Sequence, residues 1–101
     1  MPKFSFDFPA QVPSDEAFVK IKNFLNSDNN FKKFDSKLSC TFDDPARKVQ
    51  LNGGQFKASL AVIPNAANSQ IKIEVEVPLA LALFKGKIQE EIEKTFKKVI
   101  G

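Results

Sequence analysis

The chain has no histidine, no tryptophan and no tyrosine, and it has one cysteine and one methionine. Without histidine it lacks the side chain that ordinarily changes charge near neutral pH. A serine triad, a cysteine–histidine pair and imidazole ligation of a metal are excluded with it. Cys40 has no second thiol to pair with and no metal-ligand spacing around it. It alternates with Leu38 and Phe42, which marks a small structural hydrophobe rather than a reactive thiol. The missing tryptophan and tyrosine leave eleven phenylalanines as the whole aromatic complement. Phenylalanine has no polar handle, so this content suits dry packing. Apolar runs are short. The longest, Val77 to Phe84 with Pro78 inside it, falls well below the roughly 20 residues that span a bilayer, so no transmembrane segment is expected. No apolar stretch of the export type follows Met1-Pro2-Lys3-Phe4, and the expected setting is the cytoplasm.

The remaining composition is that of an ordinary globular chain. Its 101 residues are the size of one domain, and residues 1–101 are read as a single α+β domain. Fifteen basic residues stand against twelve acidic ones, interleaved along the chain, for a net charge of +3. Nucleic-acid binders concentrate basic charge on one face, so no nucleic-acid partner is expected.

Phe4, Phe6 and Phe8 alternate with polar residues and predict a half-buried first strand. Pro9 and Pro13 bracket a turn. Ser14 then offers a capping hydroxyl, and Asp15 and Glu16 put negative charge at a helix start. Ala17, Phe18, Ile21, Phe24 and Leu25 follow at helical spacing, and Asn26 to Asn30 ends the helix. Four strands follow. Their apolar rows are Leu38, Cys40 and Phe42; Val49 and Leu51; Phe56, Ala58, Leu60 and Val62; and Ile71, Ile73, Val75 and Val77. Asp43-Asp44-Pro45 and Asn52-Gly53-Gly54 are turn signals, and Pro64 to Ser69 reads as a loop. The opposite row of Ser39, Thr41, Gln50, Lys57, Ser59, Lys72, Glu74 and Glu76 predicts one solvated sheet face. Ile88, Ile92, Phe96 and Val99 predict a last helix, with Glu90–Lys94 and Glu93–Lys97 paired along it. The expected architecture is strand, helix, four antiparallel strands, helix, with both helices on one sheet face. A strongly bent sheet gripping the last helix is the alternative form. The strand from Ile71 to Val77 is one candidate for the sheet edge, with Lys72 as its guard, and the sequence leaves open which strand is the edge.

Candidate chemistry is sparse. Asp43 and Asp44 belong to a turn, Glu74 and Glu76 to a solvated strand face, and Asn52-Gly53-Gly54 is too short to cradle a phosphate. Lys32-Lys33 and Lys85-Gly86-Lys87 are small basic clusters. No catalytic residue, cofactor site or metal site is expected, and the chain is read as a non-enzyme. Leu79-Ala80-Leu81-Ala82-Leu83-Phe84 does not fit one period: Leu79, Leu81 and Leu83 alternate like a strand extension, but Pro78 and Ala80 loosen that reading. It is either a buried crossover into the last helix or an exposed apolar patch that meets a partner or a hydrophobic surface. Leu79, Leu81, Leu83 and Phe84, with Lys85 and Lys87 directly after them, are the candidate contact residues.

The run Ile71-Lys72-Ile73-Glu74-Val75-Glu76-Val77, the leucine-rich link and Phe84-Lys85-Gly86-Lys87-Ile88-Gln89-Glu90-Glu91-Ile92 together resemble the small polyhydroxyalkanoic acid system proteins of bacteria. The order of elements is similar along nearly the whole chain, and the stretch from Ile71 to Ile92 carries the specific likeness. The resemblance implies an accessory of polyester granule metabolism, with the granule surface or a granule-associated protein as partner, and it implies no catalytic residues. A small carrier of a hydrophobic ligand or lipid, with a phenylalanine-lined cavity between sheet and helices, is the alternative.

Overall fold

The computed structural model describes residues 2–27 and 37–100. The elements run in the expected order: β1 (Lys3–Ala10), α1 (Ser14–Ser27), β2 (Ser39–Asp43), β3 (Lys48–Asn52), β4 (Lys57–Asn65), β5 (Asn68–Glu76), a short 3-10 helix (Leu79–Phe84) and α2 (Lys85–Ile100). The five strands form one antiparallel sheet in the order β1-β5-β4-β3-β2. Strands β2 to β5 are a meander, and β1 returns to pair with β5 from Lys3↔Glu76 to Ala10↔Ser69. Both helices cover one face, and the fold class is α+β as the sequence predicts.

Period two places the core. Ile71, Ile73, Val75 and Val77 on and just past β5, with Val49, Leu60 and Val62, are buried toward the helices. Ala17, Phe18, Ile21 and Leu25 of α1 and Phe96 and Ile100 of α2 meet them in one cluster. Such side chains each stabilise the fold by about 1.5–3 kcal/mol when fully buried. The Phe8 and Phe96 rings meet edge to face, with centroids 5.7 Å apart, and hold α2 against β1. Ser69 is buried, but its hydroxyl donates to the Val12 carbonyl at 2.8 Å and is satisfied. The polar row predicted for the outer face is on the outer face.

Two expectations are corrected. The strand containing Lys72 is not an edge, because β1 and β4 pair on either side of it and put Lys72 opposite Asp7 and Ala61. The edges are β1 and β2. Residues 64–69 are not a loop either. β4 continues through Pro64 to Asn65, and β5 begins at Asn68, with Ala66-Ala67 as the whole turn. Pro64 is tolerated there because the β3–β4 pairing ends at Lys48↔Ala61, so its missing N–H breaks no bond on that side. Ala66 has a φ of 55°, a left-handed conformation that glycine adopts more readily.

The acidic start of α1 does more than face a helix dipole. Asp15 Oδ1 accepts from Arg47 Nε at 2.6 Å, and Asp44 Oδ2 receives Lys22 Nζ at 2.7 Å. Lys22 also lies over the Phe42 ring, 5.5 Å from its centroid. The helix is therefore clipped to the β2–β3 hairpin at both ends of the turn. The Pro13 carbonyl accepts the Ala17 N–H at 2.9 Å, so the first helical bond starts one residue before Ser14. The expected helix end beyond Ser27, and Lys32-Lys33, lie outside the described residues.

Candidate functional site: an exposed leucine turn beside an apolar cavity

Val77 is fully buried and its N–H donates to the Pro2 carbonyl at 3.0 Å, which closes the sheet end. Pro78 cannot extend that ladder. The chain coils instead into the 3-10 helix, and the Leu81 N–H donates to the Pro78 carbonyl at 2.9 Å. With three residues per turn the leucines cannot all face inward. Leu81 packs against the core, half-buried. Leu79 is 79% exposed, Leu83 93% and Phe84 55%. The alternatives left open by the sequence are decided for Leu79, Leu83 and Phe84: they are not a buried crossover. Leu81 separates from them, because its side chain is turned to the core.

Lys85 and Lys87 are exposed in the first turn of α2, a turn without any acidic residue. Positive charge at this end opposes the helix dipole. Neither lysine makes an ion pair among the described residues, whereas Lys94 bridges Glu90 at 3.3 Å further along. Glu93 and Lys97, the second expected pair, form none among the described residues. The turn and the start of α2 thus present three large apolar side chains beside two exposed cations.

A cavity of about 180 Å³ lies under the next two turns of α2. Ile88, Ile92 and Phe96 roof it from α2, and Leu60, Ile73 and Val75 floor it from the sheet. Phe24 and Leu25 of α1, with Leu51 and Phe56, flank it, and it opens to solvent. Ala58 sits in the floor where its neighbours in the row are larger, and this leaves space. Glu91 and Thr95 are the polar side chains among its described lining. None of the six sequence-predicted contact residues lines it. They occupy the stretch immediately before it in the chain. Periodicity had placed Ile88, Ile92 and Phe96 on the core face of α2, and a small residue in a row of large ones was the only sign of the space beneath them.

The other candidates have structural roles. Asp43 Oδ1 accepts the Ala46 N–H at 3.3 Å across its turn, and Glu74 pairs with Lys3 at 3.7 Å. The Gly53 N–H donates to the Phe56 carbonyl at 2.8 Å, the hairpin closure its glycines predict. Cys40 is half-buried and packs against the core. Among the described residues no group of three or more cysteine, aspartate or glutamate side chains could hold a metal ion, and no helix is long and apolar enough to cross a membrane.

An antiparallel sheet carrying its C-terminal helix across an apolar cavity is the helix-grip type of architecture. Solved structures of that kind are similar. The di-domain ARO/CYC BexL from the BE-7585A biosynthetic pathway matches with a TM-score of 0.71 and 11% identity over 99% of this chain. This chain spans 45% of that protein's length. Ara h 8.0201 matches with a TM-score of 0.63 and 12% identity over 99% of this chain and 95% of its own. A START superfamily protein from Mycobacterium smegmatis matches at 0.57 and 11% identity, over 96% of each chain. At such identities the likeness shows the fold. No curated protein matches. Residues 14–100 match the family described as polyhydroxyalkanoic acid system protein, and the chain belongs to that family. The description names no reaction and no ligand.

Proposed function

We propose that this chain is a non-enzymatic accessory of polyhydroxyalkanoate metabolism that works in the cytoplasm at the surface of the polyester granule. The exposure of Leu79, Leu83 and Phe84 on one short turn carries the reading. Large apolar side chains held in water gain about 1.5–3 kcal/mol each when an apolar surface covers them. Lys85 and Lys87, beside them at the positive end of α2, suit an anionic boundary around such a surface. The family's description supports this setting. Co-sedimentation of the purified protein with native granules tests it, with lipid vesicles as the control. The variant to compare is Leu83→Glu, because Leu83 touches little of the fold. Saturable granule binding that Leu83→Glu abolishes is the expected result. Binding that survives the substitution overturns the role of the turn.

The cavity favours a second reading, a carrier of a small hydrophobic ligand. Its volume is below the roughly 300–1,000 Å³ of drug-sized pockets, so the ligand would be a chain end rather than a long lipid.

A further inference from the structure

We propose that the outer edge of β1 is a self-association surface: it pairs antiparallel with β1 of a second copy about Ser5, so that Lys3 of each chain faces Asp7 of the other.

The backbone decides which groups are offered. In an antiparallel pair, residues that exchange hydrogen bonds with the neighbouring strand alternate with residues that do not. The Val77 N–H donates to the Pro2 carbonyl at 3.0 Å, in step with the register that sets Lys3 opposite Glu76. Phe4, Phe6 and Phe8 therefore bond to β5, and the N–H and carbonyl groups of Lys3, Ser5 and Asp7 point the other way. β1 ends the strand order, and among the described residues no backbone group pairs with this outer side. The chain re-enters the sheet at β2, at the opposite end of that order. Pro9 belongs to the outward-pointing set, so its missing N–H costs no bond to β5. An open strand edge of this kind is a template for another strand.

The side chains select the partner and the register. Lys3, Ser5 and Asp7 lie exposed on the outer face, and Phe4, Phe6 and Phe8 are half-buried on the helix face. Lys3 Nζ stands 3.7 Å from Glu74, and Asp7 Oδ2 accepts from Gln70 Nε2 at 2.9 Å, so both charges are held on the outer face. A pair centred on Lys3 or on Asp7 would set like charges face to face, which destabilises it. A pair centred on Phe4 or on Phe6 would leave neither charge an opposite. Centring on Ser5 sets Lys3 against Asp7 at both ends, and each of these residues exchanges its N–H and its carbonyl with its partner. The same register sets Phe4 of one copy against Phe6 of the other. These rings already stack within one chain, with centroids 6.1 Å apart, and aromatic cross-strand pairs are favourable. The strand is thus complementary to itself, as a two-fold contact requires.

The test is sedimentation equilibrium of the full chain up to about 1 mM, which reaches the weak end of specific association. The parent should show a monomer–dimer equilibrium. Lys3→Glu sets two carboxylates face to face at both ends, and Asp7→Lys sets two ammonium groups there. Each variant should dimerise about tenfold more weakly or worse. A one-to-one mixture of the two should restore dimerisation, because each supplies the charge the other lacks. Both positions are exposed, so the urea midpoints should stay close to the parent's. Leu83→Glu should dimerise as the parent does, which separates this edge from the leucine turn. A parent that stays monomeric throughout, or single variants that associate as the parent does, would overturn the proposal. So would a mixture that dimerises no better than its components, or loss of the dimer in Leu83→Glu.

Discussion

Leu83 holds its side chain 93% exposed, while Leu81, two positions earlier, packs against the buried cluster. A charge at each position separates surface from fold. Leu83→Glu should leave stability within about 0.5 kcal/mol of the parent in urea denaturation. Leu81→Glu should cost about 2 kcal/mol or more, because it turns a carboxylate toward apolar neighbours. Equal losses would mean that the two leucines share one environment. Gly86 offers an independent check on the start of α2. A Cβ built there meets nothing within 4 Å, and the residue is helical. Gly86→Ala should therefore stabilise the protein by up to about 1 kcal/mol. A loss instead would show that the backbone at Gly86 leaves helical geometry.

The elements owe their legibility to simple periods. β1, β5 and α2 each carry one unbroken pattern, and each occurs where its pattern lies. Partner choice is not a local property, which is why the residues of β5 leave open whether it is an edge. Nothing between Ile71 and Val77 records that Lys3–Ala10 will return to cover it. Pro64 misleads for a related reason, since a proline breaks a strand only where a neighbour needs its N–H. The leucine turn carries both signals at once. Leu79, Leu81 and Leu83 alternate like a strand, but Pro78 ends the ladder and the tighter 3-10 helix turns only Leu81 inward. The contacts between α1 and the β2–β3 hairpin were illegible, because Arg47 and Asp15 stand 32 residues apart. Asp15 is 80% exposed and Arg47 35%, so Asp15→Asn should cost at most about 1 kcal/mol at low salt. The cost should shrink in 1 M salt, where screening cuts the reach of a charge to about 3 Å. A penalty that ignores salt would point to helix capping at Asp15 instead.

Across the whole molecule the exposed turn and the cavity occupy consecutive stretches of chain, residues 79–87 and the α2 face from Ile88 to Phe96. A phenylalanine-rich core was readable from composition, and Phe24, Phe56 and Phe96 do line the cavity. Its volume was not readable, because it depends on how far α2 stands from Ala58. Ala58→Leu should fill that space, leave the protein folded, and remove the methyl shifts that benzene, a guest of apolar cavities of about this size, should produce at Ile73 and Ile92 of the parent chain. Granule binding by this variant should be unchanged, since the turn is untouched. The most direct test of the account is co-sedimentation with native polyester granules, run on the parent chain and on Leu83→Glu, with lipid vesicles alongside. The account predicts saturable binding of the parent to granules and none of the variant, at equal stability. Absence of parent binding, or equal binding by both proteins, would contradict it.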